Sequence, residues 1–228
     1  MLPRLLLLTC ALLSFAASAA NERYRFDPVH TRVLFSIEHA GFSHALGTVS
    51  GSEGVLDFDP QDWATARLEV MVPVTRLDLG DDKWNQATLA RNLLDGARFP
   101  QARFVSSRIE PIDANHARVV GQLTLRGVSR EVALDVTLNA LKRHPLPPFR
   151  RTAGFSASTT LSRADFGIDA WPSLIGDKVE LRIEAEAVRD AGAEAPPAAA
   201  DPVPTPDNSL EDAADAALKS AAETENHP

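Results

Sequence analysis

Cysteine is nearly absent from this chain, because Cys10 is the only one among its 228 residues. Cys10 lies in an apolar segment at the start of the sequence, and removal of that segment leaves no thiol. The remaining chain then forms no disulfide and offers no thiolate as a nucleophile or a metal ligand. A secreted domain without disulfides depends on its own hydrophobic core, so the folded part must be of reasonable size.

A long uncharged run that could span a membrane as a helix is also missing. The most apolar stretch runs from Leu5 to Phe15, about half of the ~20 residues that a spanning helix needs. Arg4 precedes this stretch and the small residues Ala16 to Ala20 follow it, which is the pattern of a cleaved signal peptide. We therefore predict that residues 1–20 are a signal peptide and that the protein is periplasmic. A lipoprotein processed at Cys10 is the alternative, disfavoured by the threonine before it.

The chain has no excess of positive charge. Its net charge is −8, and the segment from Asp190 onward holds nine of the 31 acidic residues and one of the 23 basic ones. The rest is neutral and lacks the basic stripe that a phosphate backbone requires, so we expect no nucleic-acid partner. Residues 190–228 are rich in alanine, proline and acidic residues, which predicts a solvated tail. A weak docking helix starting at Ser209 is the alternative.

Alternation of apolar and polar residues dominates the segment between the signal peptide and the tail. The strictest alternation covers 33–37, 68–74, 117–125, 132–140 and 179–187, and three more extended segments cover 47–58, 102–109 and 151–161. Strands with one apolar face do not suit a parallel α/β sheet. Their length favours a barrel over a sandwich. An outer-membrane barrel would carry girdles of aromatic residues, and the chain has one tyrosine and three tryptophans. We predict that residues 21–189 form a soluble, all-β, antiparallel eight-stranded barrel.

One helical segment interrupts the strands. Asp81 or Asp82 can cap it, Trp84 and Leu89 supply apolar bulk together with Leu93 and Leu94, and Gly96 should end it before Pro100. A single helix in this position either closes one mouth of a barrel or packs against the outside of the sheet. The sequence leaves both open.

Motifs of catalytic sites are missing as well. Neither glycine-rich phosphate loop occurs, and neither Gly41-Phe42-Ser43-His44-Ala45 nor Gly154-Phe155-Ser156-Ala157-Ser158 has the closing glycine of a nucleophile elbow. We therefore predict no enzymatic activity and no cofactor.

His30, His39 and His44 lie close together in sequence, as three zinc ligands could. However, an odd spacing places His30 and His39 on opposite faces of a regular strand. We expect them to hydrogen-bond to backbone at the strand ends, and we predict no metal site. Asp165 is expected to pair with Arg163 at a turn.

Several ordered motifs resemble one known family. The run Tyr24-x-Phe26-Asp27-Pro28-x-His30-Thr31-x-Val33-x-Phe35-Ser36-Ile37-x-His39 is similar to the opening of the YceI-like, polyisoprenoid-binding family. Further similarities follow in order at Gly54–Phe58, Leu94-Asp95, Phe99-Pro100, Phe104–Ser106, Gly121–Ser129, Arg163–Gly167 and Ile175–Val179. At the helix, Asn85–Leu89 replaces the Arg-Asp-x-His-Leu of many members, so contacts to a polar headgroup are not carried over.

The resemblance implies an extended, lipocalin-like barrel with an elongated internal cavity, a short helix at one mouth and export to the periplasm. It implies a bound long-chain lipid, isoprenoid or fatty, as the partner, with membrane contact only for ligand exchange and a homodimer left open. We predict that the inward faces line the cavity, with Phe35, Ile37, Val70, Val72, Leu134, Val136 and Phe155 on the wall and Trp84, Leu89 and Trp171 at a mouth. The rival hypotheses are an adaptor with a filled core and a metal enzyme using the histidines.

Overall fold

The computed structural model describes residues 21–192, so the predicted signal peptide and residues 193–228 of the predicted tail lie outside the described part. These residues form eleven strands and the helix α1, Asp82–Leu89. The strands in chain order are β1 Glu22–Phe26, β2 Arg32–His39, β3 Ser43–Ser50, β4 Glu53–Phe58, β5 Arg67–Val72, β6 Leu77–Asp78, β7 Ala102–Pro111, β8 His116–Leu125, β9 Val128–Arg143, β10 Arg151–Ser162 and β11 Ile175–Arg189.

The strands close into a barrel. The ring runs β1-β4-β5-β7-β8-β9-β10-β11 and is completed by the pairing of β11 with β1. All of these pairings are antiparallel. Beyond this ring, β2 pairs with β11 and β3, and β3 also pairs with β6. Three of the eight barrel strands are therefore each broken into two segments, β1 with β2, β3 with β4, and β5 with β6. The predicted eight-stranded antiparallel barrel is therefore confirmed.

Each of these three strand breaks lies next to a residue that interrupts the hydrogen bonding of a β-ladder. Pro28 follows β1, Gly51 separates β3 from β4, and Pro73 follows β5. Proline lacks the N–H that a central ladder position needs, and Gly51 adopts a positive φ of 77° that other residues disfavour. The breaks are tied together, since the Gly51 N–H donates to the Pro28 carbonyl at 3.2 Å.

Side chains pack densely at both ends of the barrel. The hairpin end, defined by the turns 112–115 and 144–150, holds a cluster that includes Tyr24, Phe58 and Trp63. The helix end, defined by α1, the turn 126–127 and residues 163–174, holds a smaller cluster of Leu93, Leu161, Phe166 and Ile168. The Arg126 guanidinium links the segments of the helix end through a 3.0 Å hydrogen bond to the Arg91 carbonyl.

Helix α1 starts as predicted and ends earlier. The Asp81 carboxylate caps it by accepting from the Trp84 N–H at 3.0 Å. The prediction that Gly96 ends the helix is wrong, because Ala90 already has an extended backbone and the chain continues as turns. The early end lets Leu93 turn into the cluster at the helix end instead of continuing along the helix axis. No helix in the described range has the length and apolarity to cross a bilayer.

Strand β1 was not predicted by alternation, because charged Glu22, Arg23 and Arg25 dominate its composition. Its place is fixed by pairing with two strands, β11 on one side and β4 on the other. The Arg23 guanidinium also forms an ion pair with the Asp57 carboxylate of β4 at 2.7 Å.

The predicted pair of Arg163 and Asp165 is also wrong. The buried guanidinium of Arg163 instead donates to four backbone carbonyls, at 2.7 to 2.9 Å, on Ile168, Ala170, Ile175 and Gly176. Buried backbone carbonyls need a donor, and the guanidinium supplies one to two carbonyls before β11 and to two at its start. Arg163 therefore clamps residues 168–176 at the helix end.

Candidate functional site

The middle of the barrel is hollow. A cavity of about 500 Å³ lies between the two end clusters and is lined by the inward faces of the strands. Apolar side chains that line this cavity, such as Ile37, Val70 and Val136, are only half-buried, because they border open space. The volume lies within the range of small-molecule sites, ~300–1,000 Å³.

The period of two along each strand decides which residues reach this cavity. On β2 and just before it, the odd-numbered positions from Thr31 to His39 line the cavity. On β11 the lining positions include Val179, Leu181, Ile183 and Ala185, while Glu180 and Arg182 do not line it. The wall is therefore almost entirely hydrocarbon.

Nine of the ten predicted site residues lie on this cavity. They are Phe35, Ile37, Val70, Val72, Trp84, Leu134, Val136, Phe155 and Trp171. Leu89 is not among the lining residues, since its side chain packs against Gly96, where an added Cβ would lie 2.9 Å from Leu89 Cδ2. Helix α1 instead contributes Trp84, Ala87 and Thr88. That any of these residues contacts a lipid stays a prediction.

Gly47 makes room for the largest side chain on the β2 wall. It pairs with Phe35 across the β2–β3 ladder, and the Phe35 ring lies over the position where a Cβ would be. Any larger residue at position 47 would push this ring away from the wall. The glycine therefore helps to keep the lumen open.

The helix end forms a mouth with exposed apolar residues around it. Trp84 of α1 stands edge-on to the His39 ring, with centroids 5.4 Å apart. Trp171 and Leu174 line the cavity and are also about half exposed. Phe42, in the turn between β2 and β3, is 93% exposed, and the Ala40 N–H of that turn donates to the Leu174 carbonyl at 2.7 Å. The structure thus places α1 at a mouth, as one of the two sequence-based alternatives had it.

The cavity wall carries few polar groups, among them the hydroxyls of Thr88 on α1 and Thr159 on β10. Glu38, His39 and Arg163 lie at the helix end, where the guanidinium is held by carbonyls. Thr31, Ser52 and Trp63 lie away from α1, and sequence reasoning did not single them out. Thr31 shares the parity of Val33 and Phe35, a signal that could have placed it inside. Ser52 lies at a strand break and Trp63 in a loop, where alternation gives no signal.

The three neighbouring histidines are not brought together. The His30 ring lies outside the barrel and is 2.8 Å from the Asp27 carboxylate, so the expected bond to backbone is wrong for its ring. His39 faces the cavity, and His44 is exposed on β3 opposite Glu38. Among residues 21–192, no group of three His, Cys, Asp or Glu side chains has the arrangement of a metal site.

The similarity to known proteins covers the part of the chain that forms the barrel. The family model of the YceI-like domain matches residues 24–187. A protein named UPF0312 protein from Pseudomonas savastanoi pv. phaseolicola is 31% identical over 185 residues, covering 81% of this chain and 95% of the relative. Protein YceI of Escherichia coli is 31% identical over 188 residues, covering 81% of this chain and 97% of the relative.

Solved structures share the fold. The BcnA protein of Burkholderia cenocepacia aligns with a TM-score of 0.64 and 24% identity, over 71% of this chain and 98% of BcnA. A polyisoprenoid binding domain from Saccharophagus degradans aligns with a TM-score of 0.55 and 14% identity, over 73% of this chain and 98% of that domain. At these identities the likeness shows the barrel architecture.

Proposed function

Because the chain belongs to the YceI-like domain family, we propose that it is a periplasmic carrier that holds a long isoprenoid or acyl chain inside its barrel and catalyses no reaction. The observation that carries this proposal is the hollow interior with its hydrocarbon wall. The polyisoprenoid binding domain from Saccharophagus degradans, which has the same fold, supports the ligand class.

The energetics suit a chain of many methylene groups. Each buried methylene contributes about 0.8 kcal/mol, so roughly ten of them supply about 8 kcal/mol. That gain is comparable with the 4–15 kcal/mol of translational and rotational freedom that association costs. A long chain can therefore bind without any specific hydrogen bond, and affinity should rise with chain length until the cavity is full.

Native mass spectrometry of the protein purified from the periplasm tests the proposal. We expect a bound mass that extracts into organic solvent and that a long isoprenoid alcohol replaces. A protein that arrives empty and also ignores added isoprenoids and fatty chains would contradict the carrier role. Fractionation of the cells in the same experiment tests the location, since a protein confined to the cytoplasm would contradict the export step.

The apolar rim suggests how ligand is exchanged. Phe42 and Trp171 at the helix end can touch a bilayer surface while the lipid enters through the mouth between α1 and residues 171–174. A Phe42→Ser variant should slow the transfer of a fluorescent isoprenoid from vesicles. The matched control is Ile112→Ser, because Ile112 is 68% exposed at the hairpin end and should not affect transfer. Equal rates in both variants would place the entry route elsewhere.

A further inference from the structure

The hairpin that joins β9 to β10 concentrates positive charge. Its residues 142–151, which we call the basic tip, include Lys142, Arg143, Arg150 and Arg151 and no acidic residue. In the part of the chain that the structure describes, Arg151 forms an ion pair with Glu22 at 3.3 Å, whereas the other three cations form none. These three side chains are exposed. The basic tip therefore carries three unpaired charges of one sign.

Carboxylates at the same end of the barrel have partners of their own and do not neutralise the basic tip. The pairs are Glu22 with Arg189 as well as Arg151, Asp190 with Arg25, and Asp113 with the His116 ring.

Two large apolar side chains lie side by side on the basic tip. Leu146 is 64% exposed and Phe149 is 51% exposed. The Phe149 N–H donates to the Leu146 carbonyl at 2.9 Å, so these residues begin and end one β-turn and lie close together. The His144 N–H donates to the Arg150 carbonyl at 2.8 Å and closes the loop that carries this turn. Backbone hydrogen bonds thus hold an apolar pair beside the basic side chains.

The basic tip extends past the neighbouring turn between β7 and β8. The pairing of β8 with β9 ends at His116 opposite Thr137, and the Leu138 N–H donates to the Asn115 carbonyl of that turn. From residue 139 to residue 143, β9 continues with β10 as its only partner strand. At about 3.3 Å per residue, this extension carries the tip about 17 Å along the strand beyond the turn. The apolar pair is therefore the outlying part of this hairpin.

We propose that the basic tip docks the protein on an anionic lipid bilayer, with Leu146 and Phe149 among the acyl chains and the three cations beside the phosphates. Apolar side chains flanked by Lys and Arg are typical of segments that bind the interface of an anionic membrane. The net charge of −8 does not prevent this contact, because charges more than about 8 Å from the surface are largely screened at physiological salt.

The shape and charge of the basic tip favour a bilayer over a second copy of the chain. A two-fold contact between copies would bring the same cations together, and like charges repel. A narrow convex tip also needs no complementary groove in order to enter a fluid surface. The mouth at α1 lies at the opposite end of the barrel, so docking through the tip leaves it free. The inference goes beyond the carrier function and does not depend on it.

Sedimentation of the full-length protein with vesicles tests the proposal. The vesicles contain phosphatidylcholine alone or phosphatidylcholine mixed with phosphatidylglycerol, which is anionic. We expect the protein to sediment with the anionic vesicles and much less with the neutral ones. Raising the salt from ~0.1 M to ~1 M should release it, because the Debye length falls from about 10 Å to about 3 Å.

Removing charge from the basic tip should weaken the binding. Lys142→Gln with Arg150→Gln should lower the affinity for anionic vesicles about 25-fold, since each Lys or Arg near such a surface contributes about fivefold. The matched control is Lys83→Gln with Arg130→Gln, which makes the same charge change at two exposed positions of the helix end. This control should bind the vesicles as the wild type does.

Removing the apolar pair tests insertion separately from charge. Leu146→Ser with Phe149→Ser should lower the affinity for anionic vesicles about tenfold or more, and Tm should not change because both side chains are exposed. The matched control is Ile112→Ser, which removes a 68% exposed side chain from the neighbouring turn and should leave the binding unchanged.

Each result supports or overturns the docking site without bearing on the lipid in the cavity, which native mass spectrometry measures separately. The proposal is wrong if the wild type ignores anionic vesicles, or if the Lys83 and Arg130 control loses as much affinity as the tip variant. It is also wrong if the protein is a dimer that the tip variants dissociate and that does not bind vesicles. Unchanged binding after loss of Leu146 and Phe149 would overturn the insertion.

Discussion

Filling the lumen from the wall should displace the ligand and leave the barrel folded. Ala157 of β10 faces the cavity and pairs with Val136 on one side and Ile183 on the other. In Ala157→Phe the ring would enter open space, where burial of such a side chain contributes about 1.5–3 kcal/mol. Loss of rotamer freedom offsets part of this gain. We expect a net stabilisation of about 1 kcal/mol, which raises Tm by about 2–4 °C.

If the interior of the barrel were filled, Ala157→Phe would lower Tm instead of raising it. Inserting a large side chain into a packed core costs about 1–3 kcal/mol, so the same variant would melt at a lower temperature. The assay is a thermal melt of ligand-free protein together with native mass spectrometry of the protein as isolated. The fraction of Ala157→Phe protein that carries lipid should be at least tenfold lower than that of the wild type. Ser158→Phe, on the exposed outer face one residue along, should keep it. A lowered Tm with the lipid retained would refute the hollow interior.

Three further predictions concern stability. Arg163→Met removes four hydrogen bonds to carbonyls and should cost about 3 kcal/mol of unfolding free energy in urea titrations; an unchanged midpoint would contradict the clamp. Burial and then the hydrogen bond to Glu22 raise the pKa of Tyr24 above its ordinary 10.0, so stability falls above about pH 10, as the unfolded chain ionises. Because Tyr24 is the only tyrosine, tyrosinate absorbance should appear only with unfolding, and its appearance in folded protein would contradict this. The hydrogen bond to Asp27 raises the pKa of His30, so its stabilisation is complete below the unfolded pKa near 6.5 and is lost as pH rises through the folded value. An NMR titration of Asp27→Asn should show the lower His30 pKa; an equal value in both proteins would disprove the pairing.

Local alternation was sufficient for the strands that dominate the wall. On β10, on β11 and on β9 up to Leu138, each side chain points in or out by its parity, so Val136, Phe155 and Leu181 could be placed from the sequence. Beyond Leu138 the irregularity in the pairing of β9 with β10 shifts the inward positions to Leu141. Alternation failed where the chain departs from a regular strand. The break at Gly51 depends on Pro28, which is distant in sequence, whereas the early end of α1 and the segment clamped by Arg163 depend on hydrogen bonds outside any regular period.

Strand β1 also shows that local alternation does not predict every strand. Its apolar face consists of only Tyr24 and Phe26, too short a pattern to predict a strand, yet it closes the barrel between β4 and β11. The ion pair of Arg23 with Asp57 joins residues 34 positions apart in the chain. No pattern within the segment contains that information, because the partner that stabilises it lies on another strand.

The sequence by itself determined the long alternating strands, the sidedness of those strands and the family, since these follow from periods and motifs a few residues long. Only the tertiary structure decided that the inward side chains in the middle of the barrel surround a lumen, because this depends on the diameter of the closed ring. Whether a polar group has a partner is a property of the assembled barrel, and no single strand carries it.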